Sequence, residues 1–270
     1  MGVQIGRPLL GVYLKELPSE GRLLLAGDHT AWPRPSAFTL EDRTVEHPPT
    51  KVPGNRPITV GQGYATLAWV SEETGSWALP LLHERISSVE SPLEKAAGQL
   101  QAVCQGLSTR PLTLWDSEYG GASFVLQTAD IPADKLFRLR PNRCLWGPPP
   151  PYSGKGRPRI HGDKFKLSDP ATWPEPVAPL EKDDPKLGRV RLQQGPALHF
   201  RKAPDHPMGW CGSSGWMPAA PVGIPRCCGW RGGESLLLRW RRGGGRSCAG
   251  VRWIPGIALP SSASAGPFPE

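Results

Sequence analysis

The sequence lacks several patterns that define common classes of protein. Its six cysteines form no pair of CxxC motifs at the spacing of a zinc site, and Cys227 and Cys228 are adjacent. No apolar run approaches the roughly 20 residues that a membrane-spanning helix needs. The first residues lack the charged and then apolar layout of a secretory signal. We therefore expect no structural zinc site and no membrane partner, and we predict a reducing, cytoplasmic location.

The sequence is also poor in hydrophobic residues, which make up 38% of the chain. It holds 32 glycines and 33 prolines among 270 residues, a share close to that of loop-rich chains. The length suffices for one large domain or two small ones. We predict a folded core that is interrupted by long irregular connections.

Positive charge is concentrated late in the sequence. The formal net charge is +8 and the pI is about 9.4. Residues 209–270 contain seven Arg, no Lys and two Glu, which leaves a balance of only +3 for the preceding 208 residues. Overall basicity is therefore weak evidence for nucleic-acid binding, and only local basic clusters count toward it.

Two short apolar runs each end in an aspartate. Residues 23–27 predict a buried strand before Asp28, and residues 111–115 predict a second buried strand before Asp116. Residues 32–57 hold many prolines and predict a long loop. Because open α/β sheets bind ligands at one edge, acids that follow neighbouring strands are expected to lie together there.

The remaining patterns complete the order of an α/β domain. Ser91 and Pro92 suit the N-cap and the first position of a helix whose apolar face reaches Leu107. The other predicted elements are strands at 58–70, 77–82, 135–140 and 187–201 and a short helix at 122–129. This order predicts an RNase H-like fold, with a mixed sheet and flanking helices.

Three stretches together resemble bacterial insertion-sequence transposases of the DDE superfamily endonuclease type. The first is residues 23–47, around Asp28. The second is residues 112–143, where Asp116 is followed by Tyr119 and Gly120. The third is the proline-rich and basic stretch 148–173. The resemblance covers about residues 20–205.

The resemblance implies an enzyme that cuts DNA and joins the freed 3′-hydroxyl to a new phosphodiester with two Mg²⁺ ions, for which Mn²⁺ can substitute. Asp28 is then the candidate ligand that bridges both metals, and Asp116 is a second ligand. Judged by residue type alone, a solvated acid at a strand end is the favoured interpretation of each, and the surrounding motifs are what favour the metal-ligand interpretation. The implied partners are double-stranded DNA, at insertion-sequence ends and target, and further copies of the chain, in the nucleoid.

A basic stretch supplies the candidate DNA-binding residues. Lys and Arg neutralise phosphates, and Arg-Gly segments can enter the minor groove. A solvated loop is the alternative interpretation. For His29 and His161, which flank the functional segments, we expect surface or structural roles. The DNA-binding candidates are Lys155, Arg157, Arg159, Lys164 and Lys166.

We predict five segments along the chain. They are a lead-in remnant at 1–20, an RNase H-like catalytic core at 21–144, a basic Pro/Gly-rich insertion at 145–178, further core strands at 179–208, and an aberrant, poorly ordered tail at 209–270.

The third acid that the resemblance implies is missing from the sequence. Related transposases place this glutamate on a helix after the last strands, often in a pattern with Tyr, Arg and Lys. All four tyrosines precede residue 153, and the only carboxylate side chains after Asp205 are those of Glu234 and Glu270. Neither fits the pattern. We identify no third acid and predict that this copy is inactive.

The composition of residues 209–270 suggests a cause. This tail holds five of the eleven Trp and four of the six Cys but no Lys, Asp or Asn, which suits neither a core nor ordinary disorder. Codons for residues 226–231, shifted by two bases, can encode Val-Leu-Trp-Leu-Ala-Trp, a typical buried strand. We hypothesise a frameshift near Met208 and a chain truncated at both ends relative to the family.

Two other functional classes stay open. One is a different RNase H-like nuclease, which needs another acid near the centre of the fold. The other is a non-catalytic DNA-binding fragment or the remnant of a decayed element. Metal-dependent strand transfer separates the last class from an active transposase.

Overall fold

The computed structural model describes most of the chain between residues 6 and 215 and three short strands after it. The described ranges are 6–19, 21–46, 58–71, 78–176, 178–184, 188–215, 226–231, 239–240 and 251–252. Within them, no helix combines the length and the apolar character needed to span a membrane.

Three helices and fourteen strands make up the described fold. The helices are α1 Gly6–Lys15, α2 Pro92–Gln105 and α3 Ala122–Gln127, and a single 3-10 turn lies at Pro170–Thr172. The strands are β1 Leu24–Pro33, β2 Thr44–Glu46, β3 Thr59–Val70, β4 Ala78–Ile86, β5 Leu112–Trp115, β6 Asp134–Arg138, β7 Cys144–Trp146, β8 Lys164–Lys166, β9 Ala178–Asp184, β10 Gly188–Phe200, β11 Ala203–Gly215, β12 Arg226–Arg231, β13 Arg239–Trp240 and β14 Val251–Arg252.

Twelve of these strands form one mixed sheet. Strands β1, β5 and β6 run parallel to one another, whereas β3 pairs antiparallel with β1 and β4. The hydrogen-bonded order is β2-β3-β1-β5-β6-β12-β11-β10-β7-β8, with β4 beside β3 and β9 beside β10. Strands β13 and β14 pair separately. The fold is therefore mixed α/β of the RNase H-like type, as the element order predicted.

Helix α2 covers one face of this sheet, and the reason lies in its sequence. Ser91 caps the helix reciprocally with Glu94, and Pro92 occupies the first turn. Its apolar stripe packs with Leu25 and Leu67, which are fully buried, and the Gln99 amide donates to the Ala65 carbonyl at 2.9 Å. We call this side of the sheet the covered face.

The opposite side of the sheet carries a smaller apolar cluster. Because side chains alternate along a strand, Leu24 and Ala26 of β1 point away from Leu25. They pack in the cluster that contains Leu24, Leu112, Leu114 and Leu136. Further along β1 the same side presents Asp28, Thr30 and Trp32, which are exposed. We call this side the open face.

Several elements depart from the sequence prediction. Residues 6–15 form helix α1, where we had predicted a lead-in without regular structure. Leu10 and Leu17 are buried and Arg7 pairs with the buried Glu84 at 3.0 Å, so tertiary packing stabilises a helix that two glycines weaken. Part of the predicted 32–57 loop, residues 44–46, is strand β2. Residues 47–57 lie outside the described ranges.

The predicted boundary at residue 208 lies inside strand β11. Met208 and Trp210 of this strand are both buried. Gly195 of β10 makes room for the Trp210 indole, since a Cβ there would lie 1.7 Å from Nε1. Strand β12 joins β11 to β6. The rest of the predicted poorly ordered tail lies outside the described residues, apart from β13 and β14.

Candidate active site

Two adjacent parallel strands place Asp28 and Asp116 side by side. Strand β1 pairs with β5 so that Gly27 lies opposite Trp115, the last registered pair. Asp28 directly follows Gly27, and Asp116 directly follows Trp115. The two aspartates therefore occupy equivalent positions on neighbouring strands, toward the carboxyl edge of the sheet. The alternation of side chains puts both on the open face, in line with Leu24 and Leu112. One prediction needs correction: β1 does not end before Asp28 but continues to Pro33.

The pair Gly27 and Trp115 packs closely on the covered face, directly before the two aspartates. The Trp115 ring lies directly over Gly27, where an added Cβ would come within 1.9 Å of it. Trp115 is anchored by a hydrogen bond of 2.8 Å from its indole N–H to Thr113 Oγ1, and its ring packs against Tyr119 and Phe124. Glycine at position 27 is therefore required for the packing beneath the aspartates.

The Tyr-Gly pair after Asp116 also has a packing role. Tyr119 is fully buried in the core, and Gly120 lies against strand β6, where a Cβ would be 2.2 Å from the Arg138 carbonyl oxygen. The turn itself is held by the Asp116 carboxylate, whose Oδ1 accepts the Glu118 backbone N–H at 2.7 Å. This motif therefore fixes the conformation of the chain directly after Asp116.

The two aspartates interact electrostatically. The pKa of Asp28 lies above its ordinary value because the surrounding strands desolvate its carboxylate and because the negative charge of Asp116 is close. A backbone hydrogen bond from His29 acts in the opposite direction. Two carboxylates that raise each other's energy in this way form a site that a cation would stabilise.

Comparison with known families agrees with this arrangement. The sequence model of the family described as DDE superfamily endonuclease matches residues 3–197, which is most of the chain and includes both aspartates. The chain belongs to the DDE superfamily endonucleases. A search of curated proteins found no significant match. Family membership indicates a nuclease-type enzyme that acts on DNA, in a family that typically uses divalent metals.

The two aspartates of this DDE endonuclease chain form part of a binding site for a hard divalent cation. Mg²⁺ prefers oxygen ligands and keeps several of its waters, so two carboxylates suffice to hold one ion. Among the described residues, however, no group of three His, Cys, Asp or Glu side chains converges as a metal site. The buried Tyr119 hydroxyl next to the acids has no hydrogen-bond partner there, and burial raises its pKa. The described residues thus supply two acids for such an ion, Asp28 and Asp116.

His29 links two further carboxylates, Glu118 in the turn after β5 and Glu46 at the end of β2. Its Nδ1 lies 3.3 Å from Glu118 Oε2, and its Nε2 lies 3.3 Å from Glu46 Oε2. Burial lowers the pKa of His29, but the hydrogen bond with Glu118 and the charges of Glu118, Glu46 and Asp28 outweigh it, so the pKa is raised. Gly63 leaves room for this contact, since a Cβ there would meet both His29 and Glu46 within 2.8 Å. His29 therefore fixes Glu118, the acid nearest in sequence to Asp116.

The basic residues of the DDE endonuclease lie in a separate part of the sheet. Strands β7 and β8 pair antiparallel, and the residues between them form the tip of a long hairpin. Six strands separate β8 from β1 in the hydrogen-bonded order. All five predicted DNA-binding side chains are exposed: Lys155, Arg157, Arg159, Lys164 and Lys166. The structure therefore brings the five together on one hairpin and does not place them beside the aspartates.

Side-chain contacts hold the base of this hairpin. Lys164 lies over the Trp146 ring at 5.7 Å, and Lys166 pairs with Asp169 at 3.7 Å. His161 Nδ1 lies 2.9 Å from Nε2 of the buried His199, which ties the hairpin to β10. The tip turns through Gly154 and Gly156, both at positive φ. His161 thus contributes to the contact between the hairpin and β10.

Sequence reasoning missed the residues around the aspartates that are distant in the chain. Glu46, Glu118 and the open-face rings of Trp32 and Tyr64 carried no pattern that marked them. The single available signal was the position of Glu118 two residues after Asp116, in the loop that follows the strand.

Proposed function

We propose that this protein descends from DDE-type DNA transposases, enzymes that cleave DNA at insertion-sequence ends and transfer the strand by two-metal phosphoryl transfer. The observation that carries the proposal is the register of β1 and β5, which sets Asp28 and Asp116 side by side in a chain of the DDE endonuclease family. A pair of carboxylates at equivalent positions of parallel strands suits metal-assisted chemistry on a phosphodiester.

Asp28 and Asp116 are the residues that would hold Mg²⁺ or Mn²⁺. The ion would supply Lewis-acid stabilisation of charge on the phosphodiester oxygens. Asp116 uses Oδ1 to accept the Glu118 N–H, which leaves Oδ2 for a ligand. The Trp115 and Gly27 contact holds the two carboxylates in register.

The hairpin with the five exposed Lys and Arg side chains would hold double-stranded DNA through its phosphates. Such an enzyme acts on paired transposon ends and on target DNA, so the proposal includes self-association of the chain on DNA in the nucleoid.

The proposal also includes loss of catalysis in this copy. The only carboxylate side chains after Asp205 are those of Glu234 and Glu270, and the described residues hold no group of three metal-binding side chains. These two observations favour a second candidate function, a non-catalytic DNA-binding protein derived from a transposase. Both candidates share DNA binding and differ in cleavage.

Cleavage and binding are tested on the full chain. Plasmid nicking and strand transfer are measured in Mg²⁺ and in Mn²⁺ for wild type, Asp28→Asn and Asp116→Asn, with no product expected from any of them. Metal binding is measured as the rise in Tm on adding Mn²⁺, which is expected for wild type and absent in both variants. Cleavage that Asp28→Asn abolishes would contradict the predicted inactivity and would make Glu118 the first candidate for the third ligand.

DNA binding has its own matched variants. Replacing all five hairpin residues by Ala should weaken duplex binding and reduce the salt dependence by about one unit of slope per removed charge. The control is the double variant Arg201→Ala and Lys202→Ala, which removes two exposed charges from the turn between β10 and β11 and leaves the hairpin unchanged. Duplex binding that is equal in the five-residue variant and the control would contradict the hairpin's role.

A further inference from the structure

Three rings form a continuous ladder across the open face. The Trp32 and Tyr64 ring centroids lie 5.9 Å apart, and the Tyr64 and His83 rings stack at 5.0 Å with an interplanar angle of 1°. The three residues belong to the neighbouring strands β1, β3 and β4. We call Trp32, Tyr64 and His83 the aromatic ladder.

One end of the ladder, His83, lies level with Asp28 and two strands away from it. Strand register puts Asp28 opposite Thr66, and Thr66 opposite His83. Trp32 shares the face of Asp28 because the two are four residues apart on β1, about 13 Å along the strand at ~3.3 Å per residue. The ladder therefore runs diagonally from His83 on β4, level with Asp28, to Trp32 near the far end of β1.

Hydrogen bonds fix the ladder in place although it faces solvent. Thr66 Oγ1 lies 2.8 Å from His83 Nδ1, and the Tyr64 hydroxyl donates to Gln62 at 3.0 Å. Trp32 nevertheless keeps 49% of its surface exposed. An aromatic ring contributes most to the stability of a fold when it is buried. Aromatic rings that are held in place but remain exposed are therefore typical of binding surfaces.

A cation completes the surface. The guanidinium carbon of the exposed Arg34 lies 4.2 Å from the centre of the Trp32 ring. Rings that accept stacked bases, together with Arg for the phosphates, are the combination that binds single-stranded nucleic acid without sequence preference. A protein partner is less well matched, because polar Gln62 and Thr66 alternate with the rings.

From this placement we infer that the aromatic ladder is a stacking platform for unpaired bases of a DNA strand whose backbone passes Asp28. The inference rests on the proposed function, since it needs DNA as the ligand. The 13 Å from Asp28 to Trp32 corresponds to about four nucleotides at ~3.4 Å per stacked nucleotide. The platform would therefore hold bases that are unpaired within a few nucleotides of the phosphate at Asp28.

The test compares a forked duplex with a fully paired duplex of the same sequence, by equilibrium binding to the full chain. Wild type should prefer the fork, and Trp32→Ala with Tyr64→Ala should lose about five- to 150-fold of that preference per stacked base. Duplex affinity should stay unchanged. Trp32→Phe should keep most of the preference, and Phe38→Ala, which removes an 82% exposed ring outside the ladder, should keep all of it.

A fluorescent base reports stacking directly. 2-Aminopurine placed in the unpaired arm should be quenched by wild type and not by the double variant, most strongly within about four nucleotides of the junction. Circular dichroism and Tm confirm that the variants are folded.

The outcomes separate the two proposals. Wild type that binds fork and duplex equally, or a double variant that keeps the preference, overturns the platform and leaves the proposed function standing. Wild type that binds neither DNA contradicts both proposals. A double variant that dissociates an oligomer while keeping the fork preference would make the ladder a contact between copies of the chain and would also overturn the inference.

Discussion

The covered and open faces of the sheet use the same strands for different purposes. On β3, Leu67 points to the covered face and is fully buried, whereas its neighbour Thr66 points to the open face and contacts His83. On β1, Leu25 belongs to the main core and Asp28 to the candidate site. Because alternate residues of a strand face opposite sides, one segment supplies both stability and chemistry. Substitutions on the two faces should therefore have separable effects.

The largest difference is expected on β3. Leu67→Ala removes a fully buried side chain beneath α2 and should lower the free energy of unfolding by about 2–5 kcal/mol. The neighbouring Thr66→Ala loses one hydrogen bond at the surface and should cost about 0.5 kcal/mol or less. Urea denaturation of both variants measures this contrast. Similar losses in the two variants would mean that the open face is as well packed as the covered face.

A second effect concerns the contact beneath the aspartates. Gly27→Ala would place a Cβ 1.9 Å from the Trp115 ring, so we expect a loss of about 3 kcal/mol in unfolding free energy from overpacking. It should also abolish the rise in Tm on adding Mn²⁺, because displacing the Trp115 ring would disturb the strand end that carries Asp116. Thermal denaturation with and without Mn²⁺ measures both.

Gly98→Ala is the matched control for that variant. Gly98 lies in the middle of α2, and a Cβ there would meet nothing within 4 Å apart from the helix's own backbone. Alanine should therefore stabilise the helix by about 0.8 kcal/mol and leave the metal response intact. A Gly27→Ala protein as stable as the Gly98→Ala protein would show that the Trp115 ring can move aside without cost.

The sequence predicts those parts of the fold and of the candidate site that depend on local patterns. Helix α2 was predictable because it has a long apolar stripe and a clear start at Ser91 and Pro92. The strands before Asp28 and Asp116 were predictable because each is a short, continuous apolar run that ends in an acid. The shared edge of Asp28 and Asp116 followed from the position of each acid after an apolar run. Their roles as metal ligands stay predictions.

Contacts between distant parts of the chain were not predictable. His29 and Glu118 are 89 residues apart, and no local pattern links them. Helix α1 was missed because packing of Leu10 and the Arg7 pair, rather than intrinsic propensity, stabilises it. The open-face rings of Trp32 and Tyr64 were missed because strand register alone makes them neighbours.

A third and smaller effect on stability is expected at the N-terminus of α2, the helix that covers one face of the sheet. The Ser91 hydroxyl accepts the Glu94 backbone N–H at 3.2 Å, and the Ser91 N–H donates to the Glu94 carboxylate at 2.8 Å. Ser91→Ala removes the side-chain half of this capping box and should cost about 1 kcal/mol near neutral pH. Ser91→Thr keeps a capping hydroxyl and should cost less.

The pH dependence of that loss identifies its origin. Hydrogen bonds from the Ser91 backbone and side chain lower the pKa of Glu94 below its ordinary 4.5. A lowered pKa in the folded state means that the stabilisation is complete above 4.5 and disappears as the pH falls through the folded value. The difference between wild type and Ser91→Ala, measured by urea denaturation near pH 7 and near pH 3, should therefore shrink in acid. A difference that stays constant would assign the effect to the neutral hydrogen bond from the Glu94 N–H alone, since that bond does not titrate.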